Sequence, residues 1–155
     1  MQSFIEIGDM HVKRIEALIE NLTSVLPITL ENVTILSDEY LSYLEVILNR
    51  FCKLQDLIGA KVFPCIISFF EENSELFSIV DCLNYLAKLE FLIDMSMWVN
   101  MRKVRNIITH EYPDKPVIIV EHVTLVMEQL PALLGYWQFL KSEIEQRLLK
   151  QYMEI

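Results

Sequence analysis

The chain has 155 residues, of which 53% are hydrophobic, only 3 are Gly and 5 are Pro, and its formal net charge is −9. This length predicts one domain, residues 1–155, that buries about 70% of its unfolded surface, and the scarcity of turn-forming residues favours a helical protein over an all-β one. The negative charge argues against non-specific binding of nucleic acid.

The sequence shows no targeting or membrane signal. The most apolar run, residues 57–70, is shorter than the about 20 residues that cross a bilayer as a helix. The amino terminus lacks the basic and apolar stretches of a secretory signal. Cys52, Cys65 and Cys82 have no C-x-x-C spacing, which is typical of free thiols in a reducing compartment. We therefore expect a cytoplasmic protein that does not contact a membrane.

Apolar residues spaced three and four apart predict helices along the whole chain. The first helix carries an apolar stripe over residues 15–26 and ends before Pro27. The second begins at the acidic pair 38–39, because carboxylates suit the first turn of a helix. Gly59 and Pro64 should bend or break this second helix.

Three more helices follow. The third is predicted from about Ile79 to Glu90, and the fourth from about Ser96 to Tyr112. The fifth begins near Pro116, a residue suited to the first helical turn, and should be kinked at Pro131. With no strand-like alternation, the sequence predicts an all-α antiparallel bundle of about five helices.

The fourth helix ends in a segment that combines a guanidinium, an amide, an imidazole and a phenol: Arg105-Asn106-Ile107-Ile108-Thr109-His110-Glu111-Tyr112, followed by Pro113. Asn106 and His110 lie about 40° apart, on the face opposite the apolar stripe. Arg105 lies about 140° from His110, so one ideal helix cannot aim both at one phosphate. Either the last turn departs from helical geometry before Pro113, or two copies of the segment meet across a two-fold axis.

The chemistry of these side chains suits RNA cleavage. An imidazole can accept or donate the proton when a ribose 2′-hydroxyl attacks its own phosphate, and a guanidinium binds phosphate oxygens. Arg102 and Lys103 could support phosphate binding beside Arg105, and a second basic group contains Arg50, Lys53 and Lys61. The three histidines have no metal-site spacing, so we expect neither a metal nor a cofactor.

The pattern Arg-x4-His-x-Tyr resembles the HEPN superfamily in its HepT-like toxin form. Residues 50–63 resemble the long-helix segment of that family, and residues 83–90 resemble the helix before the motif. The resemblance covers about residues 40–114. Residues 91–93 stand where the family has a glycine-containing turn.

This resemblance implies a HEPN-like bundle that acts as the toxin of a toxin–antitoxin pair. It implies a metal-independent endoribonuclease with Arg105 and His110 as catalytic residues, Asn106 as their support, and a site shared in a homodimer cleft. It also implies that a minimal nucleotidyltransferase antitoxin silences the toxin by adenylylating Tyr112.

Two other interpretations remain open at this stage. The chain could be a non-catalytic HEPN module that binds a nucleotide or presents substrate to a nucleotidyltransferase. It could also be an unrelated helical interaction protein in which Arg105, His110 and Tyr112 form a solvated helix end. RNA cleavage that survives a chelator and is lost on His110→Ala would favour the toxin.

Overall fold

The computed structural model describes residues 1–111 and 113–150, which contain helices and no strand. The α-helices are α1 (Gln2–Leu22), α2 (Leu30–Val33), α3 (Asp38–Leu57), α4 (Phe63–Ser68), α5 (Ile79–Lys88), α6 (Met95–His110) and α7 (Pro116–Ile144). π-helical segments occupy Ile58–Val62 and Glu145–Leu149, and a short 3₁₀ helix occupies Ser74–Leu76. The predicted all-α bundle is confirmed, with α1, α3, α5, α6 and α7 as its five expected helices.

Local sequence explains where several helices begin. Ser37 caps α3 by accepting a hydrogen bond from the backbone N–H of Tyr40, and Asp94 caps α6 by accepting one from Met97. Such caps satisfy donors that have no partner in the first helical turn.

Gly59 and Pro64 do not break the second predicted helix. The chain passes from α3 into the π-helical segment at Gly59 and continues into α4. Pro64 lies at the first turn of α4, where its missing N–H costs little. Pro131 also lies inside a continuous helix, α7.

The apolar stripes predicted from helical spacing form the core. The buried side chains include Ile15, Leu18 and Leu22 from α1, Leu44, Ile47, Phe51 and Leu54 from α3, and Val123, Leu130, Trp137 and Ile144 from α7. Trp137 packs so closely on Gly8 that a Cβ there would overlap its ring.

α6 runs antiparallel to α3. The Sγ of Cys52 lies 4.0 Å from the carbonyl oxygen of Arg105, and Gln55 Oε1 accepts a 3.0 Å hydrogen bond from Arg102 Nη1. The residue numbers of the contacts therefore rise along α3 as they fall along α6, as in any antiparallel pair of helices.

α6 also runs antiparallel to α7. The rings of Trp98 and Tyr136 have centroids 6.2 Å apart, and Glu111, which follows α6, lies beside His122 near the start of α7. The end of α6 is thus held between the middle of α3 and the first turns of α7.

Residues 116–149 form the only described helix that is long and apolar enough to cross a membrane by length and composition, and 28% of its most apolar stretch is buried. The sequence pointed to residues 57–70 as the most apolar run, but those residues are divided between α3, a π-helical segment and α4. A single such helix is weak evidence for a membrane span, since the helix also supplies core residues such as Leu130 and Trp137.

The turn between α5 and α6 uses no glycine. Glu90 has a φ of 61°, in the left-handed region where glycine is favoured. The N–H of Phe91 donates to the carbonyl of Leu86, and the N–H of Glu90 donates to that of Ala87, which is the Schellman pattern at a helix end. Phe91 is fully buried as a result.

Candidate functional site

The exposed face of α6 carries the motif residues that spacing predicts there. Met101 and Val104 are buried on the inner face, while Asn106 and His110 are exposed. His110 is the last residue of α6. Tyr112 lies outside the described residues.

Arg105 lies at the edge between these faces and is bound by a carboxylate from α3. Its Nε donates to Asp56 Oδ1 at 2.9 Å, and its Nη2 donates to Asp56 Oδ2 at 2.8 Å. The remaining Nη1 makes 3.3 Å contacts with Asn106 Oδ1 and Thr109 Oγ1. The guanidinium is therefore held in one orientation, and its side chain is 23% exposed.

Arg102 binds the same carboxylate. Its Nη1 lies 3.0 Å from Asp56 Oδ1 and 3.0 Å from Gln55 Oε1. Two of the three cations predicted to hold RNA phosphate thus share one aspartate. The third, Lys103, is exposed and has no ion pair in the part of the chain that the structure describes.

The charges at this cluster stabilise one another. Burial alone would raise the pKa of Asp56, but hydrogen bonds and charge from Arg105 and Arg102 outweigh it and lower the pKa below its ordinary value. The hydrogen bond to Asp56 in turn raises the pKa of Arg105. Both shifts favour the ionised forms of Asp56 and Arg105 at neutral pH, as expected for a bidentate arginine–carboxylate pair.

A cavity of about 460 Å³ opens beside this ion pair, between α3, the end of α6 and α7. We call it the polar cavity, and its walls include Lys53, Asp56, Arg105, Thr109 and His122. Lys53, Arg105 and the Thr109 hydroxyl offer donors to a phosphate-sized anion there, while Glu45 and Asp56 place two carboxylates at the same wall.

His122 is a buried group at this cavity that the sequence did not single out as a site residue. Its side chain is 0% exposed, and its Nε2 lies 3.4 Å from Glu111 Oε2. Its Nδ1 has no hydrogen-bond partner among the described residues. This contact ties the residue after His110 to α7.

Cys52 also lines the polar cavity, but its thiol is not a nucleophile. Burial raises the pKa of Cys52 to about 11. The thiolate is the reactive form of cysteine, so this side chain is inert near neutral pH.

His110 does not line the polar cavity, and no hydrogen bond joins it to Arg105 among the described contacts. The two side chains thus face different directions, as the 140° separation on an ideal helix predicts. The helical geometry of α6 reaches His110, so no departure within the helix brings them together in one chain.

The other side of α6 borders a second cavity, of about 530 Å³, which we call the apolar cavity. Its walls include Gly59, Phe63, Leu83, Trp98 and Lys103. Arg102 and Asn106 also line it, so the outer face of α6 forms the boundary between an apolar and a polar space.

Sequence reasoning missed Asp56, Gln55 and His122. The signal for the first two was the pair Gln55-Asp56 inside an otherwise apolar stretch of a long helix, since polar groups in such places usually bind other polar groups. No local pattern indicated which cation Asp56 would bind.

The described residues contain no group of three or more His, Cys, Asp or Glu side chains that could hold a metal ion. No family model, no curated protein and no solved structure matches this chain. The resemblance to a family therefore rests on the sequence motifs alone.

Proposed function

We propose that this chain is a HEPN-type, HepT-like toxin that cleaves RNA without a metal and acts in the cytoplasm. The observation that supports this most strongly is the end of α6, where His110 and Asn106 are exposed and Asp56 holds Arg105 in place on another side of the same helix. A rigid guanidinium, an amide and an accessible imidazole are the groups that phosphodiester cleavage needs.

In the proposed reaction the ribose 2′-oxygen attacks the adjacent phosphorus while the bond from phosphorus to the 5′-oxygen breaks. One imidazole removes the 2′-hydroxyl proton as general base, and another protonates the leaving 5′-oxygen as general acid. The products are a 2′,3′-cyclic phosphate and a 5′-hydroxyl. Arg105 and Asn106 stabilise the negative charge on the phosphorus centre.

Because α6 carries a single exposed histidine, the second imidazole comes from another copy of the chain. A homodimer with α6 near its two-fold axis would place two His110 side chains and two Arg105 side chains in one cleft. Two exposed apolar side chains at the apolar cavity, Ile79 and Val99, supply surface for such an interface. Light scattering at micromolar concentration should give twice the monomer mass, and an active monomer would contradict the shared site.

Cleavage is tested by incubating the purified chain with RNA in the presence of EDTA. His110→Ala should lower the cleavage rate by about 10²–10⁴-fold, the usual contribution of a general acid or base. Asn100→Ala, an exposed substitution on the same helix that lies away from both cavities, should leave the rate unchanged. Cleavage that stops with EDTA, or that survives His110→Ala, would contradict the mechanism.

The partner in this proposal is a nucleotidyltransferase antitoxin that transfers AMP from ATP to the Tyr112 hydroxyl. The added phosphate and nucleoside would bring negative charge and bulk close to the phosphate-binding Arg105. Intact-mass analysis after co-expression should show AMP on the wild type and on Tyr85→Phe, but none on Tyr112→Phe. AMP on Tyr112→Phe would assign the modification to another residue.

One observation favours the alternative of a non-catalytic module that binds a nucleotide or serves a nucleotidyltransferase. Asp56 accepts two of the five N–H groups of Arg105, and Nη1 contacts Asn106 and Thr109. One N–H of Nη2 is left without a partner among the described contacts, so a phosphate would compete with the protein for this guanidinium. If the wild type binds RNA or ATP but cleaves no RNA under any tested condition, this alternative is the correct one.

A further inference from the structure

A third cavity, of about 470 Å³, lies beside the polar cavity, between α1 and the exposed face of α3. We call it the α3 cavity, and it is lined by His11 from α1 and by Glu45, Val46, Asn49, Arg50 and Lys53 from α3. Three of these residues, Glu45, Asn49 and Lys53, also line the polar cavity. The two cavities are therefore neighbours across a single strip of α3.

The wall of the α3 cavity contains a buried histidine that holds an arginine. His11 is 8% exposed, and its Nδ1 lies 3.0 Å from Arg50 Nη1. Since a guanidinium can only donate, His11 accepts through Nδ1 and carries its proton on Nε2. Burial, followed by the charges of Arg50 and Lys53, lowers the pKa of His11, which keeps this neutral form.

The two cations of this cavity are not neutralised by the protein. In the described part of the chain, four of the lysines and arginines form ion pairs with carboxylates, but Arg50 and Lys53 form none. They lie three residues apart on one helix, where like charges repel, in a chain whose net charge is −9. Glu45 is the single carboxylate at this cavity, so the cavity carries two unpaired cations beside one carboxylate, which favours an anionic ligand.

We infer that the α3 cavity is a second phosphate subsite, which binds the RNA backbone next to the phosphate held near Arg105. This inference rests on the proposed ribonuclease function. Arg50 is oriented by His11 and has N–H groups left to bind phosphate oxygens, while Lys53 and Asn49 stand between the two subsites. The strip from Asn49 to Asp56 covers about 10 Å of helix, so the bound strand contributes more than one nucleotide.

The test uses a fluorescein-labelled, single-stranded 2′-O-methyl RNA, which cannot be cleaved because its 2′-oxygen is blocked. Its affinity for the wild-type chain is measured by anisotropy at several salt concentrations. Each phosphate contact contributes about 0.7 to the slope of log affinity against log salt for a single strand. Arg50→Gln keeps an N–H donor for His11 but removes the charge, so the slope should fall by about 0.7.

Arg14→Gln is the matched control, because Arg14 is an exposed arginine on α1 that lines none of the three cavities. Its slope should equal that of the wild type. Lys53→Gln, at an exposed side chain without ion pairs, gives a second measurement if Arg50→Gln does not fold, and it should also lower the slope.

Three outcomes would overturn the inference. Equal effects of Arg50→Gln and Arg14→Gln would mean that only overall charge matters. Unchanged slopes in both cavity variants, with an RNA-cleaving wild type, would remove the subsite and leave the proposed function intact. A wild type that neither binds the oligonucleotide nor cleaves RNA would remove both.

Discussion

The two cavities beside α6 differ in what holds their walls together. The wall of the apolar cavity is built from rings, with Phe63 and Trp98 at a centroid distance of 4.7 Å. The wall of the polar cavity is built around Asp56, which binds two arginines from the opposite helix. Both walls use residues of α6, so one helix carries a packing face and a charged face side by side.

The aromatic wall and the charged wall contribute differently to stability and to the proposed function. Burial of aromatic rings contributes a large hydrophobic free energy that does not depend on direction. A partly exposed ion pair contributes less free energy, but it fixes the orientation of the two side chains. We therefore expect substitutions of the buried rings at the apolar wall to destabilise the fold, and substitutions at the polar wall to change activity more than stability.

The largest effect is expected at the apolar wall. Trp98 is 5% exposed, so Trp98→Ala should lower the free energy of unfolding by about 3–5 kcal/mol, as for other buried large side chains. Its neighbour Val99 lines the same cavity but is 38% exposed, and Val99→Ala should change it by less than about 0.5 kcal/mol. Denaturant unfolding measures the free energy of unfolding of both variants. Equal effects would mean that the buried ring of Trp98 contributes no more to stability than the exposed side chain of Val99.

A smaller effect is expected when the polar wall loses its carboxylate. Asp56→Asn should lower the free energy of unfolding by about 1–2 kcal/mol, because charged hydrogen bonds are lost at a partly exposed site. The rate of RNA cleavage should fall by more than this loss of stability explains, because Arg105 is no longer oriented. Asp114→Asn, at an exposed aspartate, is the control; a cleavage rate unaffected by Asp56→Asn would separate this carboxylate from the active site.

The same variant should reveal the ionisation of Asp56. Its pKa in the folded chain lies below the ordinary 3.8, so its stabilisation is fully present above the unfolded pKa. That stabilisation is lost as the pH falls through the lower, folded pKa. The stability difference between wild type and Asp56→Asn should stay constant from about pH 7 to 5 and shrink below about pH 4. A difference that grows on acidification would contradict the assigned ion pair.

The smallest effect is expected at the turn that precedes α6. Glu90→Gly should raise the free energy of unfolding by about 0.5–1 kcal/mol, because glycine adopts a positive φ without steric cost. Glu128→Gly, at an exposed position inside α7, should lower it by about 1 kcal/mol. Thermal unfolding measures both, and a destabilising Glu90→Gly would show that this side chain stabilises the turn by other means. Neither change should alter the two cavity walls.

Local sequence was sufficient to predict five of the helices and the faces of the motif. Apolar spacing predicted α1, α3, α5, α6 and α7, and helical azimuth predicted that Asn106 and His110 would lie opposite the apolar stripe, where both are exposed. These properties follow from the period of the α-helix and from burial of apolar side chains. Neither requires knowledge of how the helices pack.

The backbone conformation at particular residues was harder to predict from the sequence. Gly59 and Pro64 were expected to bend or break a helix, but the chain stays helical by changing to π-helical geometry. Glu90 takes a left-handed conformation that its residue type does not indicate. In both places tertiary packing, with buried Phe63 and Phe91, outweighs the local preference of the backbone.

Only the tertiary structure decided the partners of the charged residues. Asp56 and Arg105 are 49 residues apart in the chain, and nothing in the spacing of either segment connects them. His11 and Arg50 lie on different helices, and only the packing of those helices brings their side chains together. The amino-acid order determines which face of a helix each side chain occupies, because that depends on neighbours three and four residues away. Which carboxylate or imidazole meets a given cation depends on how two antiparallel helices are aligned, and that alignment is set by the packing of the whole core.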